Sequence, residues 1–178
     1  MSKKVLILSG TPRKGGNSDI LCDQFAKGAE DAGNVVEKIC LREKNIGFCR
    51  GCYACTEKGR CVLKDDVPEI VDKMYDADVI VMASPVYFYS VDAQMKALID
   101  RTVSRWTEIA GKEFYFIMSS AEDTDTVMDC TLECMRGLMY CLDDCTEKGV
   151  IYGKGVHEAG EIRGRPAMDE AYAMGRQV

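Results

Sequence analysis

The sequence predicts an α/β fold: one open sheet of five parallel strands in the order 2-1-3-4-5, with helices on both faces. Two observations carry that prediction. Short apolar runs of the kind a doubly buried strand needs alternate five times with helical patterns. The 178-residue chain also has no internal repeat, low-complexity segment or linker, so it reads as a single domain.

Residues 5–8 (Val5, Leu6, Ile7, Leu8) form the first strand. A polar turn from Ser9 to Ser18 follows, with Asn17 or Ser18 placed to cap a helix whose apolar side is Ile20, Leu21, Phe25 and Ala29. Gly33 and Asn34 stop that helix, and Val35, Val36, Ile39 and Leu41 read as strand two. Residues 45–65 read as a loop carrying cysteines. Asp66 then caps a helix opened by Pro68, with Ile70, Val71 and Met74 on its buried side. Residues 78–84 are the clearest buried strand, and they end in the aromatic turn Pro85, Val86, Tyr87, Phe88, Tyr89. The next helix buries Met95, Leu98, Ile99 and Val103 and leaves Lys96, Asp100 and Arg101 for its polar side. Strands at 114–118 and 150–152 flank a helix at 127–142, and a short helix at 166–174 closes the chain.

Composition excludes several function classes. A net charge of -6 without a basic stripe argues against nucleic acid, whose phosphates would be repelled. The apolar runs are too short for a membrane span and the start lacks a signal-peptide core, so a cytoplasmic location is expected. In that reducing compartment ten cysteines point to metal binding or catalysis rather than disulfides. The single histidine, His157, sits in a glycine-rich tail and is expected at the surface; any histidine-based triad or metal site would have to use it.

The turn Ser9–Ser18 holds three hydroxyls and three glycines before a helix, a place where backbone N–H groups and a helix dipole converge on phosphate. It is neither a Walker loop nor a dinucleotide fingerprint: no lysine precedes a hydroxyl after Gly16, and no Gly-x-Gly-x-x-Gly occurs. In a 2-1-3-4-5 sheet the turns after strands one, three and four share one edge. A phosphate on the first turn would set an attached ring against Pro85–Phe88 and Ser119–Asp123, which is the anatomy of FMN. Arg13 and Lys14 add positive charge to the first turn, although exposed turn cations are commonly just solvated. Tyr87, Phe88, Tyr89 and Trp106 are candidates for shaping the ring pocket, or simply for packing.

Cys49, Cys52, Cys55 and Cys61 follow the spacing Cys-x2-Cys-x2-Cys-x5-Cys. Three close thiolates and a fourth nearby suit an iron-sulfur cluster better than zinc, which more often takes two separated Cys-x-x-Cys knuckles; free redox-reactive thiols are the other alternative. Cys130, Cys134, Cys141 and Cys145 recur at helical spacings of four, seven and four and are expected to pack in the core as small hydrophobes.

Three motifs together, Gly10 to Ser18, Ser84 to Phe88 and Lys96 to Arg101, resemble the flavodoxin-like NADPH-dependent FMN reductases, and within them the iron-sulfur flavoproteins. The resemblance covers almost the whole chain. It implies a flavodoxin-like three-layer sandwich in which Ser9, Thr11, Arg13, Gly16, Asn17 and Ser18 surround the FMN phosphate. Pro85, Val86, Tyr87 and Phe88 would border the isoalloxazine, with further contacts from Ser119 and Ser120, where the family often carries glycine. It also implies that Cys49, Cys52, Cys55 and Cys61 hold a 4Fe-4S cluster near the flavin. The function implied is an FMN-dependent oxidoreductase drawing on NAD(P)H, with a small-molecule acceptor or a ferredoxin-like protein as partner, assembled as a homodimer or homotetramer. No side chain need act as nucleophile or general acid, because the cofactor carries the chemistry. A flavodoxin-like electron carrier and a cysteine-based redox or metal-binding protein are the alternatives.

Overall fold

The five apolar runs form five strands in the computed structural model, which describes residues 2–178. They are β1 (Lys4–Ser9), β2 (Val35–Cys40), β3 (Val79–Pro85), β4 (Glu113–Ser119) and β5 (Thr146–Gly153). All neighbours pair in parallel, in the order β2-β1-β3-β4-β5. The flavodoxin-like architecture is therefore present as expected. Side chains alternate across the sheet. Val5, Ile7, Val79, Val81, Tyr115 and Ile117 face helices α1 (Asn17–Asp31) and α6 (Pro166–Arg176). Leu6, Leu8, Ile80, Met82, Phe114 and Phe116 face α3 (Val67–Asp76), α4 (Ala93–Arg101) and α5 (Asp129–Tyr140). β3 is buried at every position, which is why it was legible as an unbroken apolar run. Among the described residues no helix is long and apolar enough to cross a membrane.

The helix ends differ from expectation. Gly16, not Asn17 or Ser18, is the N-cap of α1, and both polar residues lie inside its first turn. Asp66 occupies the N-cap position of α3, but its carboxylate accepts a hydrogen bond from the Asn45 N–H at 2.7 Å instead of capping the helix. α4 is capped by Asp92, whose Oδ1 accepts from Met95 N at 3.0 Å; Val103 falls on the 3-10 turn that follows. The cysteine loop contains a short helix, α2 (Ala54–Lys58).

Two residue assignments are overturned. Arg101, expected on the polar side of its helix, is 1% exposed. The second cysteine set is not a core stripe: Cys130 and Cys141 are exposed, while Cys134 and Cys145 are only partly buried. The cause is angular. α5 buries Thr131, Leu132, Met135, Leu138 and Met139, and at 3.6 residues per turn the line through Cys130, Cys134 and Cys141 lies about a third of a turn from the centre of that face. The helix also ends at Tyr140, so Cys145 belongs to the following turn, beyond Asp144 at φ 54°.

Candidate flavin cleft and cysteine cavity

The turns after β1, β3 and β4 meet at the carboxyl edge of the sheet, as the strand order requires. Gly10 N–H donates to Ala83 O at 2.8 Å and Val86 N–H to Ser119 O at 2.8 Å, tying each turn to the next. Beneath them Ser84 Oγ lies 2.8 Å from Asp92 Oδ2 and accepts from Asp92 N at 2.9 Å. Burial pushes the Asp92 carboxyl above its ordinary value. A Cβ at Gly10 would collide with that carboxylate, so glycine is what lets the first turn descend over it.

The turns enclose a cleft of about 220 Å³. Of the residues assigned from sequence, Thr11, Arg13, Gly16 and Asn17 line it from the first turn, Pro85, Val86 and Tyr87 from the second and Ser119 from the third. The other four are placed differently. Ser9 is fully buried and its hydroxyl donates inward to Asp19 Oδ1 at 2.9 Å. Ser120 turns its hydroxyl to accept from Glu122 N at 3.1 Å. Phe88 projects into solvent, wholly exposed. Ser18 is 1% exposed, and its hydroxyl has no hydrogen-bond partner.

Ser18 is the telling one. It sits in the first turn of α1, beside the N–H groups of Asn17, Ser18 and Asp19 that have no carbonyl inside the helix to bond. Gly16 leaves a recess there: a Cβ would press against Thr11 Oγ1 and Arg13 O. An orphaned buried hydroxyl, free N–H groups, a positive helix end and a glycine cradle fit a phosphate monoester.

Two lining residues escape the sequence reading, Val156 and His157, whereas Ala121 belongs to the Ser119–Asp123 turn expected at this edge. His157 is exposed as expected, but its carbonyl accepts from Arg13 Nη1 at 2.7 Å. Asn17 Nδ2 donates to Glu158 O at 2.9 Å, and its Oδ1 accepts from Gly160 N and Ile162 N at 3.0 and 3.2 Å. The Asn17 side chain therefore fastens the loop before α6 over the cleft. The aromatic turn is strained. Phe88 and Tyr89 adopt φ 49° and 60°, between Tyr87 and Ser90, which exchange backbone hydrogen bonds at 2.9 and 3.0 Å. Two successive left-handed non-glycine residues each cost about 1–3 kcal/mol, and such strain gathers at functional sites. Trp106 lies on a separate 3-10 turn and does not line the cleft.

A second, larger cavity of about 730 Å³ is lined by all four predicted thiols, Cys49, Cys52, Cys55 and Cys61, with Arg101 at its wall. Cys55 is buried, Cys61 half-buried, and Cys49 and Cys52 exposed. The loop is cinched at its base: Asp65 Oδ2 accepts from Gly47 N at 2.9 Å, and Asp66 N donates to Asn45 O at 3.0 Å. Among the described residues no three His, Cys, Asp or Glu side chains are drawn together as a metal site, and all ten cysteines are unbridged.

Known proteins resemble this chain in sequence and in fold. An iron-sulfur flavoprotein of Archaeoglobus fulgidus is 42% identical over 98 residues, covering 55% of this chain and 44% of the relative. An iron-sulfur flavoprotein of Methanocaldococcus jannaschii is 43% identical over 99 residues, covering 56% and 51%. The chain thus spans about half the length of the curated relatives it matches. In three dimensions it is similar to an NAD(P)H:quinone oxidoreductase from Methanothermobacter marburgensis, with a TM-score of 0.75 at 19% identity over 99% of this chain and 96% of that one. Residues 3–129 match the model of the NADPH-dependent FMN reductase family, and the chain belongs to that family.

Proposed function

We propose that this chain is an FMN-dependent oxidoreductase that takes electrons from NAD(P)H and passes them to a small-molecule acceptor or a ferredoxin-like protein. The observation that carries the reading is the buried, partnerless Ser18 hydroxyl at the positive end of α1, next in sequence to Asn17, which lines the cleft together with Pro85, Val86 and Tyr87. FMN, when bound, supplies the acceptance of hydride from a nicotinamide. The chain's own part is positional. First-turn N–H groups and the Ser18 hydroxyl bind the phosphate; the second and third turns border the ring; Asn17 and Arg13 hold the 157–162 loop down and keep water out.

The four-cysteine loop is proposed to hold a 4Fe-4S cluster. Four thiols around one cavity, in a loop fastened at its base, fit such a group, and a cluster there would supply one-electron transfer between flavin and partner. The exposed turn Tyr87, Phe88 and Tyr89 beside the cleft supports assembly as a homodimer or homotetramer, with a neighbour covering these aromatics.

Protein purified without oxygen tests the whole reading. Flavin absorbance, FMN-dependent NAD(P)H oxidation, about four irons per chain and a light-scattering mass above that of one 19.8 kDa chain are expected. Bound flavin without turnover would leave an electron carrier; iron without flavin would leave a cysteine-based metal protein. Ser18→Ala should weaken FMN binding about tenfold, as the loss of one hydrogen bond to a charged group would. The same change should leave the flavin-free protein as stable or more so, because it deletes an unsatisfied buried hydroxyl. Fluorescence titration and thermal melts read the two effects, and unchanged FMN affinity would remove Ser18 from the site.

A further inference from the structure

Arg101 is the largest fully buried polar side chain in the fold, and a guanidinium so placed is costly unless its donors are used. Most are. Nη1 donates to Gly47 O and to Asp65 Oδ2, each at 2.7 Å, and Nη2 donates to Asp65 Oδ1 at 2.9 Å. Nε is buried with no partner. The side chain lines the cavity that Cys49, Cys52, Cys55 and Cys61 also line. Asp65 holds the guanidinium pKa above its ordinary value despite burial, and Cys61 is close enough to add to the effect. One side of the guanidinium is therefore neutralised by Asp65, while its Nε, on a side chain that lines the same cavity as Cys61, has nothing to donate to.

An orphaned, buried, permanently charged donor at the wall of a four-thiol cavity calls for an anionic acceptor there. We infer that the Nε–H of Arg101 donates a hydrogen bond to sulfur at the Cys61 corner of the cluster and thereby makes the cluster easier to reduce. The inference rests on the cluster reading proposed above. Its physical basis is that a thiolate-bound cluster is anionic and gains one more negative charge on reduction, so a fixed donor at sulfur favours the reduced form. Arg101 is a positioning and tuning residue: it holds the loop through Gly47 and Asp65 and faces the cluster through Nε.

The test uses the 178-residue chain loaded anaerobically with iron and sulfide. Wild type carrying arginine labelled with 15N at Nε should show hyperfine coupling from that nitrogen to the reduced cluster. The coupling should persist in Arg50→Lys, which changes the other arginine lining the cavity. Arg101→Lys keeps the charge but loses the fork and Nε. It should keep its iron, lose the coupling, and shift the one-electron equilibrium toward the oxidised cluster about tenfold, equivalent to about 59 mV. Loaded wild type without arginine coupling overturns the inference even if Arg101→Lys fails to fold, and so does Arg101→Lys with wild-type potential and iron content. Wild type that binds no iron overturns the cluster reading itself, and this inference with it.

Discussion

Gly28→Ala should destabilise the protein by about 3 kcal/mol, the upper end of what overpacking usually costs. Gly28 in α1 and Gly175 in α6 lie where the two helices cross. A Cβ on Gly28 would collide with the carbonyl oxygen of Tyr172, and one on Gly175 with that of Phe25. Those obstacles are backbone atoms, so no rotamer change relieves them and the helices must move apart. Around the crossing, Tyr172 Oη donates to Asp31 Oδ2 at 2.9 Å and Arg176 donates to the Asp31 carbonyl. Separation would strain these bonds as well, and it would loosen the 157–162 loop that Asn17 holds over the cleft. Gly137 is the control. It lies in the last turn of α5, exposed, with nothing within 4 Å of a built Cβ. Gly137→Ala should stabilise by about 0.5–1 kcal/mol through helix propensity alone. Urea unfolding of the two variants should therefore move in opposite directions. A Gly28→Ala midpoint at or above wild type would mean that α1 and α6 are not held at this distance.

The strands and their order were legible because a sheet buried on both faces writes itself as apolar runs, and strand order then brings three turns to one edge. The phosphate-binding turn was legible for the same local reason: its hydroxyls, glycines and helix start are contiguous. Roles within it were not. Ser9 and Ser18 are both buried hydroxyls in one motif, yet one is consumed by Asp19 and the other is left open, and that difference depends on where the first turn of α1 points. Asn17 looked like a cap because capping is local, whereas its partners lie more than 140 residues away in sequence. Arg101 shows the limit of periodicity. A cation at a helix C-terminus reads as solvated, and nothing within its helix reveals that a loop from residues 45–65 folds over it and brings Asp65 to meet it. The cysteine line on α5 failed by an angle, since a repeat of small hydrophobes fixes a stripe but not which neighbouring stripe the larger Leu and Met side chains claim for the core.

Asp19→Asn should cost about 2–3 kcal/mol at neutral pH, below the 3–5 kcal/mol typical of a broken buried pair, and the cost should fade in acid. Asp19 joins four parts of the carboxyl edge. Its Oδ1 accepts from Ser9 Oγ at 2.9 Å and pairs with Lys38 Nζ at 2.7 Å, while Oδ2 accepts from Gly15 N at 3.3 Å and Arg42 Nη1 at 3.2 Å. Its side chain is 6% exposed, against 19% for Lys38 and 14% for Arg42. Asparagine keeps the shape and an acceptor but leaves both cations without their shared carboxylate. The expected cost is moderated because Lys38 keeps Asp23 and Arg42 keeps Glu43. Burial alone would raise the Asp19 pKa, but the hydrogen bond and charge of Lys38, with Ser9 and Arg42, outweigh it and hold the carboxyl below its ordinary value. As pH falls, the unfolded chain therefore takes up this proton first. The stabilisation is complete above the ordinary aspartate value of about 4 and is lost as pH drops through the lower folded value. Denaturant unfolding of wild type and Asp19→Asn should show a gap that is constant from neutral pH down to about 5 and narrows below about 4. A gap that stayed constant into that acid range would mean the carboxylate's charge contributes nothing, and that Lys38 and Arg42 are held at the edge by Asp23, Glu43 and packing alone.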